Sequence, residues 1–220
     1  MDPTRIGVIG SGAVGRALAA GFASRGHEVT IGTRSPGDND DLRAWAAQHD
    51  NVAIGSFAGA AEAGELVVLA TRGTAVEQAI ATAGPQHFAG KVVIDATNPL
   101  APDPTTGRPG LAVGHTDSGG ETVQRALPDA RVVKAFNKVN ASLMVDPGLS
   151  GGPQPMFVAG NDDGAKATVA EILSDFGWDA FDVGGIDQSR QLEARVLRWV
   201  AGGGRRGAYD HAFTFVTPER

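Results

Sequence analysis

The chain has 220 residues and a formal net charge of −6, with no long basic run, a balance that argues against nucleic acid as a partner. It has no cysteine, which excludes a disulfide framework, a thiol nucleophile and a thiolate metal site, and it shows no His/Asp/Glu cluster at metal-ligand spacing. No apolar stretch approaches the roughly 20 residues a membrane-spanning helix needs. The length suits one large domain, or one domain with a small appendage, able to bury roughly 70% of its unfolded surface. Because the first strand opens within a few residues of the N-terminus, no leader segment is expected and a cytoplasmic location is.

The first element is a short apolar strand, Arg5 to Ile9, followed at once by Gly10-Ser11-Gly12-Ala13-Val14-Gly15. Val14, Leu18 and Phe22 then recur at helical spacing up to Gly26, and Glu28 to Ile31 reads as a second strand. Strand, glycine turn, helix and strand within about 30 residues is the context that a dinucleotide fingerprint requires. Gly10 permits the tight turn, Gly12 lets the backbone approach a pyrophosphate, and Gly15 lets helix and strand pack closely. The diphosphate would meet unpaired N–H groups at the helix start, where the dipole favours negative charge.

An NAD-specific site would place an Asp or Glu at the end of the second strand, to accept from the ribose 2′-hydroxyl. That place holds Thr33, followed by Arg34 and Ser35. A guanidinium flanked by hydroxyl donors suits a 2′-phosphate, and no carboxylate repels it, so NADP(H) is the expected cofactor.

Further along, Asp40 to His49 carries Leu42, Trp45 and Ala46 at helical spacing, with Trp45 read as a packing residue, and Val52–Ile54 follows as a short strand. Glu65 to Ala70 is a continuous apolar run, as expected of a strand covered on both faces; it ends at Thr71-Arg72-Gly73. A helix through Val76, Ile80 and Ala83 closes at Gly84-Pro85, and the strand Lys91 to Asp95 ends in Thr97-Asn98-Pro99. Alternating strands and helices predict a Rossmann-type, doubly wound, mostly parallel α/β sheet. Ligands of such sheets bind beyond the carboxyl ends of the strands, which places Thr71, Arg72, Thr97, Asn98 and Pro99 at the expected cleft.

Leu100 to Asp117 shows no periodicity and reads as a lid, binding or disordered loop, with His115 as a candidate acid. Ser118-Gly119-Gly120-Glu121 fits a capping box, or else an anion-accepting helix start facing the cleft. The strand Arg131 to Phe136 runs into Asn137-Lys138-Val139-Asn140, and the turn-rich Gly148 to Pro155 marks a boundary between residues 1–147 and a smaller α/β unit of residues 148–220. That unit reads as strand Met156–Ala159, a helix with Val169, Ile172 and Leu173 capped by Asn161 or Asp162, strand Trp178–Val183, and a last helix from Asp187 to Ala201 ended by Gly202-Gly203-Gly204. Leu192, Val196, Trp199 and Val200 share one face of that helix, and a tail with Tyr209, His211, Phe213 and Phe215 follows. So much apolar surface on a small unit predicts a homodimer.

The segments GSGAVG, IGTRSP, DATNP, SGGE, VVKAFNKVNA, MFVAGND and GGIDQSRQLE occur in this order, and over residues 4 to about 200 the chain resembles the NADP oxidoreductases that use the 8-hydroxy-5-deazaflavin coenzyme F420. The resemblance implies a Rossmann-type domain, a small C-terminal unit, and hydride transfer between nicotinamide C4 and deazaflavin C5. It assigns Thr33, Arg34 and Ser35 to the 2′-phosphate, Asn98 and Pro99 to the nicotinamide wall, and Phe136, Asn137 and Arg190 to the deazaflavin side. Asn98, Pro99 and Asn137 are then the residues nearest the reacting rings. Asn137 stands where some members have histidine, Lys138 where a small residue is common, and Ala194 and Val196 where hydroxyl residues are expected.

Two other readings stay open on the residues alone. One is an NADPH-dependent reductase of a flavin, imine or carbonyl compound, which needs a proton donor such as Lys134, Lys138 or His115. The other is a non-catalytic module that senses NADP(H).

Overall fold

A computed structural model describes residues 2–148 and 153–212. Its elements in chain order are β1 (Arg5–Ile9), α1 (Ala13–Ala23), β2 (Glu28–Thr33), α2 (Asp40–Ala46), β3 (Val52–Ser56), α3 (Phe57–Ala63), β4 (Leu66–Leu69), α4 (Val76–Ala83) and β5 (Val92–Asp95). They continue with β6 (Leu100–Pro102), β7 (Pro109–Leu111), α5 (Gly119–Ala126), β8 (Arg131–Lys134), β9 (Gln154–Gly160), α6 (Asp163–Asp175), β10 (Trp178–Asp182) and α7 (Ser189–Arg206). One eight-stranded sheet has the order β10-β9-β8-β5-β4-β1-β2-β3. All neighbours are parallel except β8 and β9, which pair antiparallel through Val133↔Gly160 and Lys134↔Ala159. This is the Rossmann-like, doubly wound α/β fold expected from the alternating pattern.

The apolar strands carry side chains to both faces, so the sheet is covered on both. Ile6, Val8, Val68, Ile94 and Val133 meet Leu18, Phe22, Ile172 and Phe176 of the α1 and α6 layer. Ile9, Val67, Leu69, Val93 and Val132 meet Phe57, Val76, Ile80 and Val123 of the α3, α4 and α5 layer. Met156, Val158 and Trp178 belong to the same core cluster as β1, so the strands after the expected boundary share both sheet and core with those before it.

Three elements differ from the sequence reading. Helix α3 has no bulky apolar period and was not expected. Apart from Phe57 and Glu62 it is built of Gly and Ala, because it lies against the sheet backbone: a Cβ on Gly7 would stand 2.1 Å from the Ala60 carbonyl oxygen. The expected loop after Pro99 forms the antiparallel hairpin β6–β7, which Asp103 closes by accepting from the N–H groups of Thr105 and Thr106. The three glycines 202–204 do not end the last helix; α7 runs through them to Arg206 and stops at Gly207, whose φ is 68°.

The reason lies in the tail. Tyr209 and His211 fold back on Trp199, with ring centroids 5.0 and 5.6 Å away, and Trp199 Nε1 donates to the His211 carbonyl. Gly203 is buried beneath the Tyr209 ring, where a Cβ would come within 2.2 Å of it. Leu192 and Val196 are 5% and 3% exposed, turned into the chain's own core rather than outward. The apolar face on which self-association was expected is therefore largely covered from within, and Phe213 and Phe215 lie outside the described residues. No helix among the described residues is long and apolar enough to cross a membrane.

Candidate active site

Strands β8, β5, β4, β1 and β2 are consecutive neighbours and parallel, so their carboxyl ends form one rim. Along it stand Asn137, then Thr97-Asn98-Pro99, then Thr71-Arg72, then Gly10-Ser11-Gly12, then Thr33-Arg34-Ser35. Four strand spacings of about 4.8 Å make this row roughly 19 Å long, a shape for an extended ligand. The chain reverses its winding between β1 and β4, the topological switch point at which such sheets open a crevice.

The glycines divide the work at that point. Gly10 has φ 122°, and a Cβ there would lie 2.6 Å from the Ala70 carbonyl oxygen. A Cβ on Gly15 would lie 1.8 Å from the Gly10 carbonyl oxygen, so α1 sits directly on the turn. Gly12 is different: it is exposed, and nothing lies within 4 Å of where its Cβ would be. It is also the N-cap of α1, with no side chain bonding the first turn. Exposed Ala13 and half-buried Ser11 and Val14 complete the opening. A bare helix start beside open space, with no packing reason for glycine, fits a diphosphate.

At the β2 end Thr33 is buried, while Arg34 and Ser35 are exposed. The Arg34 guanidinium has no hydrogen bond or ion pair among the described residues. Arg43 of α2 donates to the Gly37 carbonyl at 2.7 Å and pins the loop that carries it. Arg16 donates to the Ser11 carbonyl, pairs with Asp41 at 2.5 Å and lies 5.7 Å over Trp45, so that Trp45 packs against the turn.

At the opposite end Asn98 Nδ2 donates to the Asn137 carbonyl at 2.7 Å, and Asn137 Nδ2 donates back to Asn98 Oδ1 at 3.0 Å. Asp95 Oδ1 accepts from both the N–H and the hydroxyl of Thr97. A Cβ on Gly73 would stand 2.2 Å from the Asn98 carbonyl oxygen, which brings the Thr71-Arg72 loop against Asn98-Pro99.

Two residues assigned to the deazaflavin side are engaged within the chain. Phe136 is fully buried, its ring 6.0 Å from that of Phe176 in the core; its φ of 60° makes the bend that brings Asn137 to the rim. Arg190 forms a two-pronged pair with Glu121 at 2.5 and 2.8 Å. Glu121 is held below the usual carboxylate range, first by that guanidinium and also by the Ser118 hydroxyl, which opposes its partial burial. The start of α5 does accept an anion, but an internal one: the Glu193 carboxylate of α7 takes the N–H groups of Gly119 and Gly120 at 2.8 and 2.9 Å. Ser118 caps the helix as expected, by accepting from Glu121 N–H.

The sequence reading did not foresee the buried cluster behind the rim. Lys134 Nζ lies 2.7 Å from Asp95 Oδ2 and 2.7 Å from Glu193 Oε1, and donates to the Thr97 carbonyl at 2.9 Å, with all three charged groups shut from solvent. Burial would lower the lysine pKa, but the two carboxylates raise it, so Lys134 is a fixed cation. The signal lay in the strands themselves, where acid and base end two otherwise apolar runs, and the register pairs Asp95 with Lys134. Lys138 donates to the Pro155 carbonyl and lies over the Phe157 and Trp178 rings; burial, helped by Arg195, pulls its pKa down to about 8. His115 is exposed on the loop before α5. Among the described residues no cluster suits a metal ion.

Residues 5–99 match the family described as NADP oxidoreductase coenzyme F420-dependent. The whole chain is similar to the crystal structure of a candidate F420-dependent NADP-reductase from Arthrobacter sp. FB24, with 41% identity, a TM-score of 0.91, and coverage of 97% of this chain and 100% of that one. A reductive aminase from Aspergillus terreus, solved with NADPH and ethyl levulinate, has a TM-score of 0.65 at 20% identity over 93% of this chain and 63% of that one, a likeness of fold. The metalloreductase STEAP3 of Rattus norvegicus is 26% identical over 197 residues, which are 90% of this chain but 37% of that protein. The chain thus spans little more than a third of that curated relative.

Proposed function

The chain belongs to the coenzyme F420-dependent NADP oxidoreductase family and is an NADP-dependent oxidoreductase, and on that premise we propose that it passes hydride between NADP(H) and the 8-hydroxy-5-deazaflavin coenzyme F420. In this reading the 2′-phosphate lies on Arg34 and Ser35 beside Thr33. The diphosphate lies on the α1 start at Gly10–Gly15, and the nicotinamide reaches the wall formed by Thr71, Arg72, Thr97, Asn98 and Pro99. When bound, NADP(H) would supply the redox chemistry, hydride exchange between its nicotinamide C4 and C5 of the deazaflavin. The residues would do the rest by orientation: the Asn98–Asn137 pair, with Asn137 only 4% exposed, fixes the wall beside which the partner ring would lie.

The observation that carries this reading is that the lysines near the rim are held away from substrate chemistry. Lys134 is locked between Asp95 and Glu193, and Lys138 is turned to the Pro155 carbonyl. An imine or carbonyl acceptor needs a proton at the reacting heteroatom. Hydride transfer between two stacked rings needs chiefly proximity and alignment, and water can supply the remaining proton. Arg190, engaged with Glu121, is left out of the proposed ring contacts.

The test is to mix the protein with NADPH and oxidised F420 and follow bleaching of the deazaflavin absorbance. Bleaching at a rate proportional to enzyme supports the proposal. No bleaching above background, together with turnover of a flavin or an imine, replaces it with the alternative acceptor; binding of NADPH with no acceptor reduced points to a sensing module. Homodimerisation through the final helix and tail stays part of the proposal; of the expected face, Trp199 and Val200 are half-buried where Leu192 and Val196 are buried.

A further inference from the structure

The cluster behind the rim joins four elements at one point. Lys134 ends β8, Asp95 ends β5, Glu193 comes from α7, and Gly119 and Gly120 open α5. Two carboxylates and one ammonium leave an excess negative charge in a dry site. The first N–H groups of α5 and the Thr97 N–H and hydroxyl offset it, as a helix start and charge-assisted hydrogen bonds can. The cluster acts on the rim through Thr97: Asp95 takes its two donors and Lys134 takes its carbonyl. The next residue is Asn98. Gly119 stands between Glu193 and Pro99, since a Cβ there would lie 3.0 Å from Glu193 Oε1 and 3.4 Å from Pro99 Cδ.

We infer that Lys134 and Glu193 are positioning residues for the nicotinamide half of the site, setting the Thr97–Pro99 wall without touching ligand. The inference rests on the nicotinamide placement proposed above. It gives the last helix a part in the cofactor site distinct from surface contact: Glu193, some 100 residues downstream in the chain, braces the segment through Lys134. The wall is short and has no regular hydrogen bonding of its own. The cluster behind it decides where Asn98 stands.

Replacement of Glu193 by Gln probes this with little change of shape. Three donors, from Gly119, Gly120 and Lys134, converge on two carboxylate oxygens. An amide offers one oxygen and one NH2, so in either orientation at least one donor faces another donor. The intact chain carrying Glu193→Gln, Lys134→Met or Asn98→Ala is titrated calorimetrically with NADP+ and with adenosine 2′,5′-bisphosphate, which carries only the 2′-phosphate half. The expected result is a rise of about tenfold in the NADP+ Kd for all three variants, with bisphosphate affinity held within about twofold. If Lys134→Met does not fold, Glu193→Gln carries the test. Equal losses for both ligands, or none, in Glu193→Gln while Asn98→Ala stays selective overturn the inference and leave the site standing. If Asn98→Ala is not selective either, the nicotinamide placement falls and takes the inference with it.

Discussion

Arg34 and Lys138 are cations in opposite surroundings, and the same physics gives them opposite consequences. Arg34 is exposed and has no hydrogen bond or ion pair among the described residues, so its charge is available to a ligand. A charge-assisted hydrogen bond contributes about 1.5–3 kcal/mol. Arg34→Ala is therefore expected to weaken NADP(H) binding at least about tenfold and to leave NAD(H) affinity unchanged, as parallel titrations of both nucleotides would show. Equal affinities in the unmutated chain would remove the basis for the 2′-phosphate site. Lys138 is buried, with a pKa pulled down to about 8, against about 10.4 in an unfolded chain. Between those values only the unfolded chain binds the proton, so stability gains from this group as pH rises through the window. Below it the folded state holds a poorly solvated charge. Lys138→Met is expected to stabilise the protein by about 1–3 kcal/mol at neutral pH, an advantage that shrinks by pH 10. Urea midpoints at the two pH values check this, and a destabilised variant at neutral pH would contradict it.

Among the elements, α7 shows why local propensity failed. Three consecutive glycines lower helix stability by about 1 kcal/mol each relative to alanine, and the sequence alone reads them as a stop. The helix continues because the tail covers that stretch, with Gly203 making room for the Tyr209 ring. Adjacent positions should then respond in opposite ways. At Gly204 the nearest atom to an added Cβ is the Tyr209 hydroxyl, 3.8 Å away. Gly204→Ala is expected to stabilise by about 0.5–1 kcal/mol. Gly203→Ala should push the ring aside, undock the tail, and shift Trp199 fluorescence toward that of a solvated indole. Melting curves and emission spectra of the two variants separate the cases, and equal behaviour would refute the packing argument. Helix α3 is the reverse case. Its Gly and Ala residues hide any helical period from the eye, yet they are what lets it lie against Gly7 and Gly32.

For the molecule as a whole, the cluster of Lys134, Asp95 and Glu193 ties the last helix to the centre of the sheet. Removing one member of a buried ion cluster strands the others, at a cost of about 3–5 kcal/mol. Lys134→Ala is expected to lose that much in urea unfolding; a loss under about 1 kcal/mol would mean that the cluster is not the tie described. Ligand binding should act globally too. At a concentration of about 100 times its Kd, NADP+ adds about 2.7 kcal/mol, so it should raise Tm while NAD+ at the same concentration does little. Self-association belongs to the same scale, and with Leu192 and Val196 buried within the chain it falls to the rest of α7 and the tail. Light scattering of the intact chain, compared with a chain lacking residues 205–220, is expected to show a dimer that becomes monomeric. An unchanged mass would remove the tail from the interface.

What could be read from the amino-acid order was whatever depends on neighbours in the chain. The strand, Gly10–Gly15 turn and helix, the Thr33-Arg34-Ser35 end of β2, and the Ser118 and Asp162 caps are all local, and a few adjacent residues determine each of them. Periodicity likewise identified the buried strands and hence the doubly wound sheet. Contacts between distant residues were not legible. That Arg190 would choose Glu121, that Glu193 would cap α5, and that Phe136 would turn into the core follow from how α7 crosses α5 and how β8 bends. Those choices depend on which donors and acceptors meet in space once the apolar faces are buried, because a buried polar group must find a partner and takes the one that packing brings.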